Sequence, residues 1–323
     1  MILLDEIKNF GACDFGYTEE DLPVSYDHYL NWLKENKHGP LLYLADHRKE
    51  KRASLKNFYP EFQSALVFLF SYNETSRELK AFYQTPESNG LKIASYVFAY
   101  EGRDYHFEIK ERLEKIKTHL KLEGVLTLDV HPVLERDLAY RSGLGWFGKN
   151  SMLINREHGS FFLIGSLLLK QKLNLPQKKI ETDHCGQCRA CIDACPTLAI
   201  DEKMRTLDAS KCISSITIEI FKEEQVVLPQ GYPQGTGEIF GCDICQDVCP
   251  WNLRLDRFLS PAKALLDNPI KAFFLNLQVE LVMKKLNELS LKQFKTYFKH
   301  TPMERTGKNG VLKNLKILAR SKS

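Results

Sequence analysis

The sequence has no stretch of about 18 or more apolar residues, so a membrane-spanning helix is not expected. Its opening, Met1-Ile2-Leu3-Leu4-Asp5-Glu6, puts acids where a secretory leader needs basic residues ahead of a long apolar run, and a cytoplasmic location is expected. It lacks a repeat at a period of roughly 20–50 residues, which excludes a solenoid, and it has no low-complexity segment. Cysteine is almost absent outside one short region: eight of the nine lie between Cys185 and Cys249, and only Cys13 stands apart. Thiols so crowded, in a chain expected to be cytoplasmic, read as metal ligands rather than disulfides. Cys13 reads as a small buried hydrophobe.

The rest of the composition is ordinary, with 43% hydrophobic and 27% charged residues over a length of 323 that suits more than one domain. Charge is unevenly spread. From Pro261 onward 13 Lys/Arg stand against 4 Asp/Glu, a local +9 that leaves −5 for the first 260 residues of a chain whose net charge is +4. Such a basic end can meet phosphates, or can simply be a solvated helical surface.

Residues 1 to 50 read as short helices, with an amphipathic one over Tyr26–Lys37 stopped by Gly39-Pro40. Strands are expected over residues 64–70, 124–129 and 160–169, and helices over 106–122 and 135–142. Strands alternating with helices indicate an N-terminal α/β domain over 1–175. A cysteine-rich, ferredoxin-like domain follows over 176–255, then a basic helical segment over 256–323 with helices at 262–266, 281–289, 291–297 and 310–319.

The run Cys185-Gly-Gln-Cys188-Arg-Ala-Cys191-Ile-Asp-Ala-Cys195-Pro196 has the C-x2-C-x2-C-x3-C-P spacing of bacterial two-cluster ferredoxins. Three close thiolates wrap one cubane, and the fourth is carried onward to the other. The second run, Cys242-Asp-Ile-Cys245-Gln-Asp-Val-Cys249-Pro250, has the same ending but one thiol too few, and Cys212 is the only unassigned cysteine nearby. The count then closes. One [4Fe–4S] cluster takes Cys185, Cys188, Cys191 and Cys249, and a second takes Cys195, Cys212, Cys242 and Cys245. A pair of four-cysteine zinc sites would use the same number of thiols, but the spacing belongs to cubanes. A bare electron carrier does not need the 184 residues that precede Cys185, so something is expected to be reduced there.

Arg103-Asp-Tyr-His106, Leu128-Asp129-x-x-Pro132, Arg141-Ser-Gly-Leu-Gly-Trp-x-Gly-Lys-Asn150, Cys212-Ile-Ser214 and the two cysteine runs occur in this order. Together they make the chain resemble the epoxyqueuosine reductases, over nearly its whole length. Many members of that family continue into a C-terminal helical repeat; this sequence is expected to keep only the basic segment.

The resemblance implies an N-terminal domain that holds base-off cobalamin against the ferredoxin-like domain. An external donor such as flavodoxin or ferredoxin would supply electrons, and the substrate would be epoxyqueuosine in the anticodon loop of a tRNA. Asp129 falls at the family's proton-donor position, where a raised pKa would suit a general acid; Glu135 and Asp137 are nearby rivals. By family position cobalamin would meet Arg52, Val97, Asp129, Leu153, Ile164, Ser214, Glu219 and Asp243. The resemblance further implies a monomer. His106 is a candidate cofactor contact, and the loop from Gly143 to Asn150 a candidate phosphate cradle. Lys284, Lys285, Lys292, Lys295, Lys299, Arg305, Lys308, Lys313 and Lys316 are candidate phosphate contacts. The competing readings are a ferredoxin-type electron carrier and a corrinoid reductive dehalogenase, the latter typically exported behind a twin-arginine signal that this N-terminus does not show.

Overall fold

The computed structural model describes residues 4–222, 226–232, 236–255 and 269–320. Its framework is a four-stranded sheet in the order Asp14–Thr18, Ser64–Ser71, Phe162–Leu169, Gly124–Thr127. The strand Ser64–Ser71 is buried along almost all of its length, which explains why residues 65–70 are continuously apolar instead of alternating. Leu66, Phe68 and Phe70 face Ile109, Leu113 and Ile116 of the helix Tyr105–His119. Ala65, Val67 and Leu69 face Leu138 and Ala139 of the helix Glu135–Arg141 on the other side. The sheet is thus the middle layer between helices.

Every pairing in this sheet is antiparallel, which corrects the α/β expectation. Alternation of strands and helices predicts a parallel sheet only when each crossover returns the chain to the same edge. Here residues 72–161 lead Ser64–Ser71 back to its own neighbour in the opposite direction, register Ser64↔Leu169 to Ser71↔Phe162. The edge strand Asp14–Thr18 lies where only helices were expected. It is five residues long, and its central Gly16 is in contact distance of the helix end: a Cβ there would stand 2.2 Å from the Ser142 carbonyl oxygen. The expected helices over 26–37, 106–122, 135–142, 281–289 and 291–297 are present within a few residues at their ends. The helix expected over 262–266 falls outside the described residues.

A third apolar core joins distant parts of the chain. Leu79, Ile93, Val97 and Phe98 meet Ile239 and Phe240, and the C-terminal helices close over them with Phe274, Phe294, Phe298, Met303, Val311 and Leu315. A short parallel pairing of Lys92–Ile93 with Glu238–Phe240 runs beneath. No helix among the described residues is long and apolar enough to cross a membrane.

Candidate functional site

The cysteines are gathered by short turns and by two helices of four or five residues, Ala190–Ala194 and Ile244–Asp247, which pack on each other. Cys185, Cys188, Cys191 and Cys249 line one cavity of about 110 Å³, walled by Lys149, Asn150, Ile154, His184 and Trp251. Burial first, then the neighbouring Cys249, Cys185 and Cys188, push the Cys191 thiol up to about 11. Burial raises Cys242, with Glu238, Cys245 and Cys212 adding to it; burial raises Cys245, with Cys212, Asp243, Cys191 and Cys195 adding to it; and burial, then Cys195, raises Cys212. Four of the thiols expected to share a cluster thus line one cavity, while Cys195, Cys212, Cys242 and Cys245 lie near one another with Cys245 also close to Cys191. Among the described residues no three His, Cys, Asp or Glu close on one point as a mononuclear metal site requires. A cubane instead spreads its ligands over the corners of a cage, and four thiols around an open cavity fit that. The second set has backbone amides aimed at sulfur, including Ala199 N–H on Cys195 Sγ at 3.4 Å.

The loop Gly143–Asn150 does not stand open as a phosphate cradle. A Cβ on Gly145 would meet the Ile154 carbonyl oxygen at 2.2 Å and one on Gly143 would meet Lys178 Cβ at 2.4 Å, so the glycines serve close packing. The loop faces the thiols: Lys149 and Asn150 line the first cavity, and Asn150 Nδ2 donates to the Cys245 carbonyl at 3.4 Å.

The second centre of chemistry is built around Asp129, two residues beyond the end of the strand Gly124–Thr127. Asp104 caps the helix Tyr105–His119 by accepting from the His106 amide at 2.9 Å, and this fixes the two side chains that follow it. His106 Nδ1 lies 2.7 Å from Asp104 Oδ1 and its Nε2 lies 2.6 Å from Asp129 Oδ1. The Tyr105 hydroxyl donates to the other Asp129 oxygen. Between two carboxylates the imidazole holds its proton tightly: desolvation opposes the charge, but the bonds to Asp104 and Asp129 outweigh it and carry His106 up to about 9.

Asp129 does not have the raised pKa expected of it. Desolvation pushes it up, but hydrogen bonds from His106 and Tyr105 and the charges of His106 and Arg305 win, and its carboxyl is held below the usual range. The carboxyl that burial does raise well above its range is Glu135, with the Asp129 charge adding to the effect; its Oε1 is buried without a hydrogen-bond partner. Asp137 is turned away into a buried pair with Arg141 at 2.6 Å and accepts from the Ser25 amide at 2.7 Å.

Of the other expected contacts, Glu219 faces the Asp129 site: burial, then Asp129, raises its carboxyl against the pull of Arg305. Arg52 is 7% exposed, with Nη1 buried and unpartnered. Ser214 follows Cys212 on the helix Ile213–Glu219, and the neighbouring Ser215 Oγ is likewise buried and unpartnered. Asp243 Oδ2 accepts from the Ser95 amide and hydroxyl at 2.6 and 2.7 Å. The side chains of Val97 and Leu153 are inside apolar cores, and Ile164 packs beside one.

Sequence reasoning passed over Asp104, Tyr105 and Tyr43. The first two stand in the string from Arg103 to His106, where capping chemistry was the available signal. Tyr43, 41% exposed overall but with its phenol raised by desolvation, then by Glu219 and Asp129, had none. Lys284, Lys285, Lys292, Lys295 and Lys299 are exposed. Lys313 is not a phosphate contact: it is 2% exposed and donates to the carbonyls of Ile216 and Ile220 at 2.6 and 2.5 Å. Lys308 is bound to the Asn287 carbonyl at 3.1 Å and to that of Leu289.

Comparison with known proteins decides the family. The chain is 36% identical over 312 residues to the epoxyqueuosine reductase of Cyclobacterium marinum, covering 94% of this chain and 90% of that protein. The chain belongs to the epoxyqueuosine reductase family. The enzyme of that name from Escherichia coli is 35% identical over 277 residues, 81% of this chain and 70% of the relative. The family model described as epoxyqueuosine reductase QueG, DUF1730, matches residues 52–132, which include Asp104, His106 and Asp129. A 4Fe-4S double cluster binding domain matches residues 184–252, and with it all eight clustered cysteines. The fold is shared with epoxyqueuosine reductase from Streptococcus thermophilus, at a TM-score of 0.76 and 23% identity over 100% of this chain and 82% of that one. It is also shared with an epoxyqueuosine reductase solved with an epoxyqueuosine-modified tRNA-Tyr stem loop, at a TM-score of 0.75 and 23% identity over 98% and 80%. Members of this family are oxidoreductases of queuosine modification, and this chain is one of them.

Proposed function

We propose that this epoxyqueuosine reductase acts on the modified nucleotide in a tRNA anticodon loop, with Asp129 and His106 delivering the proton as the epoxide opens. In the overall change both carbon–oxygen bonds of the epoxide break, an alkene forms, and the oxygen leaves as water. Two electrons and two protons are consumed. The observation that carries the reading is the Asp104–His106–Asp129 chain, with both imidazole nitrogens facing carboxylate oxygens at 2.7 and 2.6 Å. Asp129 reaches the substrate as an anion and takes its proton from His106 or Tyr105 as charge develops on the departing oxygen. At neutral pH the proton rests on His106 and reaches the departing oxygen through the Nε2–Oδ1 contact.

Cys185, Cys188, Cys191 and Cys249 hold one [4Fe–4S] cluster in this reading, and Cys195, Cys212, Cys242 and Cys245 the other. An external protein such as flavodoxin or ferredoxin provides the electrons, one at a time. The residues present also fit cobalamin, whose rim is rich in amides. Arg52 Nη1 and Ser215 Oγ are buried donors without a partner, and Asp243 has one carboxylate oxygen beyond its bonds to Ser95. Arg52, Ser214, Glu219 and Asp243 would hold that cofactor, with Val97, Leu153 and Ile164 supporting by shape. When bound, it supplies a low-potential cobalt centre for reduction of a carbon–oxygen bond. The chain's own groups orient the nucleotide, exclude water and supply protons. The exposed lysines at 284, 285, 292, 295 and 299 suit the phosphates of the stem-loop. The chain acts as a monomer in the cytoplasm.

The test gives anaerobically reduced, cofactor-loaded enzyme a stem-loop carrying epoxyqueuosine and follows loss of one oxygen by mass spectrometry. Wild type converts it. Asp129→Ala, with unchanged iron and cobalamin content, is slowed about 10²- to 10⁴-fold, the usual range for removal of a general acid. Full-rate turnover by that variant would remove Asp129 from the mechanism.

A further inference from the structure

Arg305 comes from the C-terminal helix Met303–Arg320, almost two hundred residues after His106 in the chain. Its Nη2 lies 2.9 Å from His106 Nδ1 and 3.4 Å from Nε2, so the guanidinium lies over the edge of the ring that joins the two carboxylates. Asp104 Oδ2 is 3.8 Å from the same nitrogen. We propose that Arg305 is a positioning residue of the Asp129 proton site, balancing the charge of Asp104 and Asp129 and fixing where the mobile proton rests. The inference depends on the proton-delivery reading above.

Counting charge shows why a cation is needed there. Both nitrogens of His106 meet carboxylate oxygens within hydrogen-bond distance, and ionised carboxylates only accept, so with both carboxyls ionised the ring carries two protons and Arg305 lies against it without a hydrogen bond to Nδ1. Two carboxylates and one imidazolium leave one net negative charge; Arg305 cancels it. Apart from His106 itself, no other cation among the described residues acts on Asp104, His106 or Asp129; Arg52 and Arg136 stand farther out, beside Tyr43 and Glu135. Tyr105 stacks on His106 with ring centroids 4.1 Å apart, and Tyr96 meets Tyr105 edge-on at 5.8 Å. Tyr43, Glu219 and Glu135 face Asp129. Arg103, the nearest basic residue in sequence, is directed away to Glu108 and Glu111. Removing Arg305 therefore leaves an anionic site, and both Asp129 and His106 must bind protons more tightly.

The C-terminal segment holds Arg305 in place by contacts on both sides. The Asp104 amide donates to the His300 carbonyl at 2.7 Å, the His300 amide donates to Glu304 Oε2 at 2.9 Å, and His300 meets Phe107 edge-on at 5.4 Å. Thr306 Oγ1 donates to the Ile218 carbonyl at 3.0 Å, one residue before Glu219. His300 adopts a left-handed backbone with φ of 61°, which turns the chain at this point. Arg305 is thus clamped between the helix that carries His106 and the helix that carries Ser214 and Glu219.

Two measurements on cluster-loaded enzyme test this. Exchange of the His106 ring C2 hydrogen with deuterium, followed by mass spectrometry against pH, reads its titration without any RNA. In Arg305→Met the half-point moves upward by about one pH unit, the scale of losing a charge at this distance. In single turnover of the epoxyqueuosine stem-loop at about pH 7.5, the same variant is slowed roughly tenfold, because a more tightly held proton is a weaker acid. Its pH profile shifts to higher pH with iron content unchanged, and Arg305→Lys recovers most of both effects. A His106 titration that does not move in Arg305→Met overturns the assignment, whatever the activity; so does a loss of rate that is uniform across pH. A wild-type enzyme that leaves the stem-loop intact overturns the proposed function instead, and the His106 titration still decides the electrostatic role of Arg305.

Discussion

Seven of the eight clustered cysteines lie on two runs of eleven and eight residues, whereas the groups around Asp129 come from positions 43, 104–106, 129, 135, 219 and 305. Seven of the thiols need only short turns and one packing contact between two small helices to meet, and Cys212 joins them from the N-cap of the helix Ile213–Glu219. The proton site needs the sheet, the helix Tyr105–His119 and the C-terminal core to be assembled together. Local spacing makes a ligand set insensitive to what happens elsewhere; a long-range site inherits the weakness of every element that carries it. The clustered thiols thus rest on the robust construction and the groups around Asp129 on the dependent one.

The largest effect should come from attacking the local construction directly. Cys245 lies at the meeting of the two thiol sets, raised by burial and by Cys212, with Cys191 and Cys195 also acting on it. Cys245→Ala should reduce iron from about eight to about four atoms per chain in anaerobically reconstituted protein and abolish reduction of the stem-loop. Retention of all the iron would show that the eight thiols are not shared out as four and four.

A substitution in the C-terminal core separates the two constructions. Phe298 is fully buried among Phe273, Phe274, Phe294 and Tyr297, with ring centroids 4.7 to 5.4 Å away, and its carbonyl accepts from the Thr301 hydroxyl at 2.7 Å. Phe298→Ala should cost about 3–5 kcal/mol in denaturant unfolding. It lies two residues before His300, so it should loosen Arg305 and slow turnover while iron content stays at the wild-type level. Equal loss of iron and activity would contradict the independence of the two regions.

The same division explains what the sequence made legible. The spacing x2-x2-x3 was enough to expect Cys185, Cys188 and Cys191 together with Cys249, and these four line one cavity, because ligation geometry is encoded within a few residues. The strand over residues 64–71 and the helix over 105–119 were visible as apolar patterns, but strand polarity was not, since it depends on the route of residues 72–161. Asp129 was located through family resemblance, yet its titration was misjudged. A strand-end carboxylate next to an apolar cofactor should rise, and only the positions of His106, Tyr105 and Arg305 reveal that it falls. Lys313 looked like one more basic tail residue because composition does not distinguish a lysine in water from one that caps carbonyls in a core. The fold therefore hides the long-range half of the chemistry from any reading limited to neighbours in the chain.

The smallest expected effect probes the charge state of His106 in the fold. An imidazole carried from its ordinary value of 6.5 up to about 9 binds a proton more tightly folded than unfolded. Its contribution to stability is therefore fully present below about pH 6.5 and is lost as pH rises through about 9. His106→Asn cannot make this contribution. The difference in unfolding free energy between wild type and His106→Asn should be greatest near pH 6 and should shrink steadily toward about pH 9.5, measured by anaerobic denaturant titration of cluster-loaded protein. Asp129 and Asp104 belong to the same network and are both held below the usual carboxylate range, so their share of the stability is present above that range, is lost only as pH falls into the acid, and stays constant over the window in which that of His106 changes. A difference that stays constant from pH 6 to 9.5 would mean that the ring is neutral between its two carboxylates, and the proton would then have to be assigned to Tyr105 or to Asp129 itself.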